Sequence, residues 1–217
     1  MSRITRTRLT GNATARQLQT GIDQIREAIR LQPDLALGYQ ALSFALAQTG
    51  DYESAMRAAE RAVQLSPSDP DTLEALAKAQ VRFGAYEDAV ANAERALRLH
   101  PFAPPYYTYV YGQALYAAGR YEEADNVLRE CLLRVPEERS CLRMQAAVLV
   151  RLDRLDAART AMARLRAIDP TFSLSAERQI ERFGASLVMD RYLADLEAAG
   201  TSAAGQARTP TPPNRSA

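Results

Sequence analysis

Apolar positions along this chain recur with a helical period. Over residues 14–31, Leu18, Ile22, Ile25 and Ile29 fall three or four residues apart, which places them on one helix face. Four later segments have the same character, and each closes on a proline: "AMRAAERAVQLSP", "AVANAERALRLHP", "ADNVLRECLLRVP" and "ARTAMARLRAIDP". About fifteen residues before each proline, another helical segment ends in a short turn: "AQTGDYESA", "VRFGAYEDA", "YAAGRYEEA" and "VRLDRLDAA". Pro33, Pro67, Pro101, Pro136 and Pro170 are spaced by 34, 34, 35 and 34 residues. A fixed period of this length marks a repeat architecture and is read before any local detail. The unit is helix, tight turn, helix, proline.

Each position in the unit has a physical role. Gly50, Gly84 and Gly119 stand where the first helix stops and the chain reverses, so positive φ is expected there. Asp153 holds that place in the last unit. Tyr52, Tyr86, Tyr121 and Leu155 follow two residues later and are expected to plug the joint between the helices. Three residues on come Ala55, Ala89, Ala124 and Ala158, where close helix approach leaves room only for a small side chain. The closing proline cannot extend a helix and biases its predecessor away from helical angles.

These motifs resemble the tetratricopeptide repeat, in four units over 36–69, 70–103, 105–138 and 139–172. Unit two carries Leu76, Ala77, Gly84, Tyr86, Ala89, Ala96 and Pro101 in the family's order. The family's usual tryptophan is absent, and Tyr39, Leu73 and Leu142 occupy its place in three units. The resemblance implies an all-α fold: antiparallel helix pairs stacked into a right-handed solenoid, with a concave face lined by first helices. Residues 1–13 are expected to be a flexible N-terminus, and 14–35 a half-repeat helix. Residues 173–200 read as C-terminal capping helices, with Met189, Tyr192, Leu193 and Leu196 over the open end and Gly200 as the stop. Residues 201–217 are expected to be disordered. "YAAGRYEEA", "RLDRLDAARTAMARLRAIDPTFSL" and "DRYLADLEAAG" are also similar to the repeat-containing C-terminal regions of bacterial adenylate/guanylate cyclase-like proteins. That resemblance implies an interaction or regulatory module in signalling; no cyclase activity carries over.

Composition narrows the function. Net charge is +1, so no bulk electrostatic argument favours nucleic acid. No apolar run is long enough for membrane insertion. The opening "MSRITRTRLTGN" has no apolar core behind its basic residues, so a cytoplasmic location is expected. Of 27 basic residues only Lys78 is lysine, a bias in keeping with a GC-rich bacterial genome. Cys131 and Cys141 are expected to be small core residues rather than a disulfide framework or metal site. His100, the single histidine, sits at a helix C-terminus, where a cation suits the dipole. Phosphate-cradling glycine loops are absent, and the recurring "YESA", "YEDA" and "YEEA" carboxylates follow the structural period. No catalytic residue, cofactor or metal is expected.

The remaining candidate is the concave groove. Stepping by three and four along each first helix selects Leu37, Gln40, Phe44 and Gln48, then Asp71, Glu74, Lys78 and Arg82. It continues through Tyr106, Tyr109, Gln113 and Tyr116, then Arg143, Ala147, Val150 and Arg151. The stretch "PPYYTYVYGQALY" holds five of the chain's ten tyrosines. Tyr106, Tyr109, Gln113 and Tyr116 span an arc of about 80°, with Tyr107 and Tyr111 on the opposite, core-facing side. The expected groove site is therefore Phe44, Gln48, Lys78, Arg82, Tyr106, Tyr109, Gln113, Tyr116, Arg143 and Arg151. Aromatic anchors beside cations suit a protein or peptide partner. Gln40, Phe44, Ala75 and Ala147 do not match the two-carboxylate clamp of chaperone-tail binders. Terminal helices folding into the groove would satisfy the tyrosines internally, and homo-oligomerisation through the cap or an open end of the stack is a further expectation.

Overall fold

The structure, a computed structural model, describes residues 3–180 and 186–200. The tail 201–217, for which disorder is expected, lies outside them. Among the described residues every regular element is a helix, in the order α1 (Arg3–Leu31), α2 (Ala36–Thr49), α3 (Tyr52–Leu65), α4 (Pro70–Phe83), α5 (Tyr86–Leu99) and α6 (Pro105–Ala117). Then come α7 (Tyr121–Arg134), α8 (Arg139–Arg151), α9 (Leu155–Ile168), α10 (Leu174–Ile180) and α11 (Ser186–Gly200). Helix α1 starts well before the segment its apolar spacing marks, and so takes in most of the expected flexible N-terminus. Extending an existing helix avoids the nucleation cost, so a stretch without an apolar stripe can still continue one.

Each first helix pairs with the second helix of its unit, and α2, α4, α6 and α8 also stack on one another. The joints follow the sequence closely. Gly50, Gly84 and Gly119 have φ of 85°, 101° and 80°, and Asp153 takes the same left-handed region at 57°. Beyond each, a backbone N–H reaches back over the turn: Asp51 to Leu46, Ala85 to Gln80, Arg120 to Leu115 and Arg154 to Leu149. These bonds satisfy carbonyls that a helix end leaves without partners. Ala55, Ala89, Ala124 and Ala158 are fully buried, and Tyr52, Tyr86 and Tyr121 pack half-buried against the core beside them. Leu155, the fourth plug, is more exposed.

Arginines tie unit to unit. Arg95 donates to the Pro67 carbonyl at 2.9 Å and Arg164 to the Pro136 carbonyl at 2.6 Å, each linking a second helix to the closing proline of the unit before. Arg154 bridges from the start of α9 to Glu122 and Asp125 of α7, at 2.9 Å to each.

The cysteines depart from expectation. Cys131, near the end of α7, and Cys141, at the start of α8, are joined as a disulfide. Both are buried as expected, but the proline-containing connection folds back tightly enough to bring the two helix ends together. Sequence alone shows two thiols on separate helices, ten residues apart, and not this approach.

Candidate binding groove

The first helices divide the groove into two unlike halves. In the half built by α2, α4 and the start of α6, side chains surround an open pocket of about 370 Å³. Phe44 is 55% exposed, Leu37 64% and Tyr106 39%, on helices that are otherwise well packed. Lys78, the chain's only lysine, lies between two of these rings. Its Nζ stands 5.1 Å from the Phe44 centroid and 4.6 Å from that of Tyr106, and it donates to the Tyr106 hydroxyl. The arrangement holds the cation of one unit between aromatic faces contributed by the units before and after it.

Acidic groups complete this half. Tyr107, buried as expected, donates its hydroxyl to Asp71, and burial together with that carboxylate pushes the Tyr107 phenol well above its ordinary value. Glu74 lines the same pocket, and its Oε1 is shut off from water with no hydrogen-bond donor meeting it among the described residues. Burial raises the Glu74 carboxyl above the usual carboxylate range, against the lowering effects of Lys78 and Tyr106. Arg82 lines the pocket and is nearly buried, whereas Gln48 lies a turn beyond Phe44 and outside the lining.

The other half is occupied. Tyr109, Gln113 and Tyr116 share a face of α6 with Tyr106, but all three are buried. Helix α11 returns over α8 and the end of α6 and covers Tyr116, while Arg143 of α8, held by Glu177 of α10, lies over the Tyr109 ring. The Tyr116 hydroxyl donates to Asp195 Oδ2 at 2.5 Å, and Arg151 donates to Asp195 Oδ1 through Nε at 2.9 Å and Nη2 at 2.7 Å. Tyr192 packs edge-on to Tyr116, with ring centroids 5.8 Å apart, and donates to Glu177 Oε1 at 2.8 Å. Arg143 holds the other Glu177 oxygen at 2.9 Å and donates to the Tyr109 hydroxyl at 3.3 Å. Three of the ten expected groove residues are therefore interior. A helical wheel places them on one face correctly but does not carry what covers that face.

Burial governs the chemistry of the sealed half. It raises the Tyr116 phenol, with the Asp195 hydrogen bond acting the same way. It also raises the Asp195 carboxyl, against the lowering contacts from Tyr116 and Arg151. For Arg151 burial acts downward, and Asp195 more than offsets it. Asp195, Glu177 and Arg191 are missing from the expected site. For Asp195 the signal was an acid three residues after Tyr192, on the same face of α11; Glu177, on α10, and Arg191 carried no such signal.

Two family models match: "Tetratricopeptide repeat" over residues 36–79, and "Anaphase-promoting complex, cyclosome, subunit 3" over residues 84–165. Neither spans half of the chain. Among solved structures, PilW, a type IV pilus biogenesis factor, superposes with a TM-score of 0.68 at 14% identity, covering 92% of this chain and 90% of that one. The fold is a tetratricopeptide-repeat solenoid. YrrB, a tetratricopeptide-repeat protein with an unusual peptide-binding site, superposes at 0.55 with 18% identity, covering 81% of this chain and 95% of YrrB. A tetratricopeptide-repeat protein from Parabacteroides merdae gives 0.65 at 11% identity, covering 88% of this chain and 74% of its own. No curated protein matches. Proteins with the tetratricopeptide-repeat fold are typically interaction scaffolds. Among the described residues no helix is long and apolar enough to cross a membrane, and no three His, Cys, Asp or Glu side chains are grouped to hold a metal.

Proposed function

We propose that this protein is a non-catalytic scaffold that binds an extended peptide segment in the open half of its groove, at Phe44, Lys78 and Tyr106. The observation that carries this reading is the pocket of about 370 Å³ in which Leu37, Phe44 and Tyr106 remain exposed around a fixed lysine. Exposed aromatic side chains set in a concavity are the usual anchors of a binding surface. Glu74 sits in the same pocket as a buried carboxyl raised by burial and hydrogen-bonded by Tyr106, which sets the polarity of the pocket floor. The peptide-binding site of YrrB, on the same fold, supports the class of partner.

The partner presents an apolar or aromatic residue to Phe44 and Tyr106. No observation on the fold favours the alternative of a cyclase-linked module. The buried Cys131–Cys141 bond favours an oxidising compartment over the cytoplasm, since such bonds persist where thiols are not kept reduced. A peptide array read with the native chain and with Phe44→Ala/Tyr106→Ala tests the site. Peptides that bind the native chain should lose at least tenfold in affinity with the double variant, and should protect Lys78, its single lysine, from amine-reactive labelling. Equal binding by both chains, with Lys78 labelled as before, removes the reading.

A further inference from the structure

The outer layer of the solenoid, on the side away from the groove, has a cleft of its own. Second helices of successive units do not stack on one another as the first helices do, which leaves furrows floored by a first helix. One floor position recurs, at Leu42, Leu76, Tyr111 and Gln145. Leu76 shares an apolar cluster with Ala59, Met56 and Val63 of α3. Tyr111 occupies the furrow between α5 and α7. Burial raises its phenol, and the charges of Glu94 and Arg98 on α5, and of Arg120 and Glu123 at the start of α7, act on it. In the next furrow, between α7 and α9, the shorter and polar Gln145 stands where that ring would be. A pocket of about 720 Å³ lies there, within the size range of small-molecule sites.

Leu132 and Leu133 of α7 form the apolar wall of this pocket, and Leu133 is 81% exposed. Arg129 of α7 and Arg164 of α9 line it from its two sides. Arg164 donates to the Pro136 carbonyl at 2.6 Å, which pins the guanidinium without neutralising it. Buried Asp125 lies 3.4 Å from Arg129 but 2.9 Å from Arg154, so it serves mainly the latter, and Gln145 donates to its other oxygen at 3.4 Å. Among the described residues Glu130 is the one carboxylate in the lining. We propose that the furrow between α7 and α9 is a binding site for a small aromatic monocarboxylate. The ligand's ring takes the place that Tyr111 has in the preceding furrow, against the leucines and the flat guanidinium faces, which stack on aromatic rings. Its carboxylate pairs with Arg129 and Arg164. Two cations against one anion match a single negative charge, and Glu130 disfavours a second. The site lies on the opposite side of the stack from Phe44 and Tyr106, and does not rest on the peptide reading.

The test is isothermal titration calorimetry of the full chain with 4-hydroxyphenylacetate, whose ring is that of a tyrosine side chain. Its neutral amide and the cationic tyramine are the comparison ligands. The acid should bind the native chain, and the amide and tyramine should bind about tenfold more weakly or worse, the cost of losing a charge-assisted pair. Gln145→Tyr rebuilds the filled furrow of the preceding unit and should weaken the acid by about tenfold or more. Arg164→Gln changes only an exposed side chain, and should bring the acid down to the affinity of the amide. Should Gln145→Tyr lose native helix content, Arg164→Gln decides. The Phe44→Ala/Tyr106→Ala chain should bind the acid as the native chain does; loss of binding there places the acid in the groove and overturns the proposal. Equal affinity for the acid and its amide overturns it, as does unchanged binding by folded Arg164→Gln or no heat of binding at millimolar acid.

Discussion

Gly112→Ala tests the packing logic of the stack most directly. Gly112 lies on α6, where a Cβ would stand 2.8 Å from Leu128 Cδ2, 2.9 Å from Cγ and 3.3 Å from Cδ1. Leu128 belongs to α7 and is fully buried, so its branched end has no solvent to swing into. The equivalent positions in the other units are Ser43, Ala77 and Ala146, facing in register Ala59, Ala93 and Met162. All of these are buried. The unit with leucine on its second helix carries glycine on its first, so the two sizes are matched. Replacing glycine by alanine within a helix favours folding by about 1 kcal/mol through propensity alone. Overpacking a core costs about 1–3 kcal/mol. The clash should win, for a net loss of about 1 kcal/mol, or about 2–4 °C in Tm for a chain of this size. Leu128→Ala alone should cost about 2–5 kcal/mol. Combined with Gly112→Ala it should cost less than the sum by about 1–3 kcal/mol, because the added methyl then has room. Urea unfolding followed by far-UV circular dichroism measures all four corners of the cycle. A Gly112→Ala chain more stable than the native one by the full propensity gain, or an additive cycle, refutes the close approach of α6 and α7.

Gly84→Ala should cost about 1–2 kcal/mol from backbone conformation alone, since φ is 101° and no atom lies within 4 Å of the added Cβ. Gly21→Ala, inside α1 with equally open space, should gain up to about 1 kcal/mol in thermal melts; like signs for the two would contradict the turn assignment. Replacing both Cys131 and Cys141 by alanine opens a loop with a sequence separation of 10. The chain-entropy relation then predicts a loss of about 2.7 kcal/mol, with a matching fall in urea midpoint when the native chain is reduced. A midpoint insensitive to reductant argues against the bond. Asp51 caps α3 by accepting from the Ser54 N–H at 3.1 Å, which holds its carboxyl below the ordinary 3.8. Asp51→Ala should cost about 1 kcal/mol near neutral pH. A depressed carboxyl contributes above its unfolded value and is lost as pH falls through the folded one, so the two melting curves should converge in acid.

The sequence by itself determined the repeat, its joints and its close contacts. The closing prolines, Gly50, Gly84, Gly119 and the small residues Ala55, Ala89, Ala124 and Ala158 are local requirements, and each reappears where its spacing puts it. Even Asp153, standing where glycine is expected, takes the left-handed turn. Positive φ, helix breaking and close packing act between residues near in the chain, so they leave a periodic trace. The sequence also placed Phe44, Lys78 and Tyr106 on helix faces that line one pocket. What it left undecided are contacts between elements far apart along the chain. Tyr116 meets Asp195 across 79 positions, and Arg151 meets it across 44. The spacing of polar and apolar residues on α6 is the same whether solvent, a partner or α11 covers that face. Only the tertiary structure decides between them, because that choice depends on where a distant helix docks and not on any period within α6.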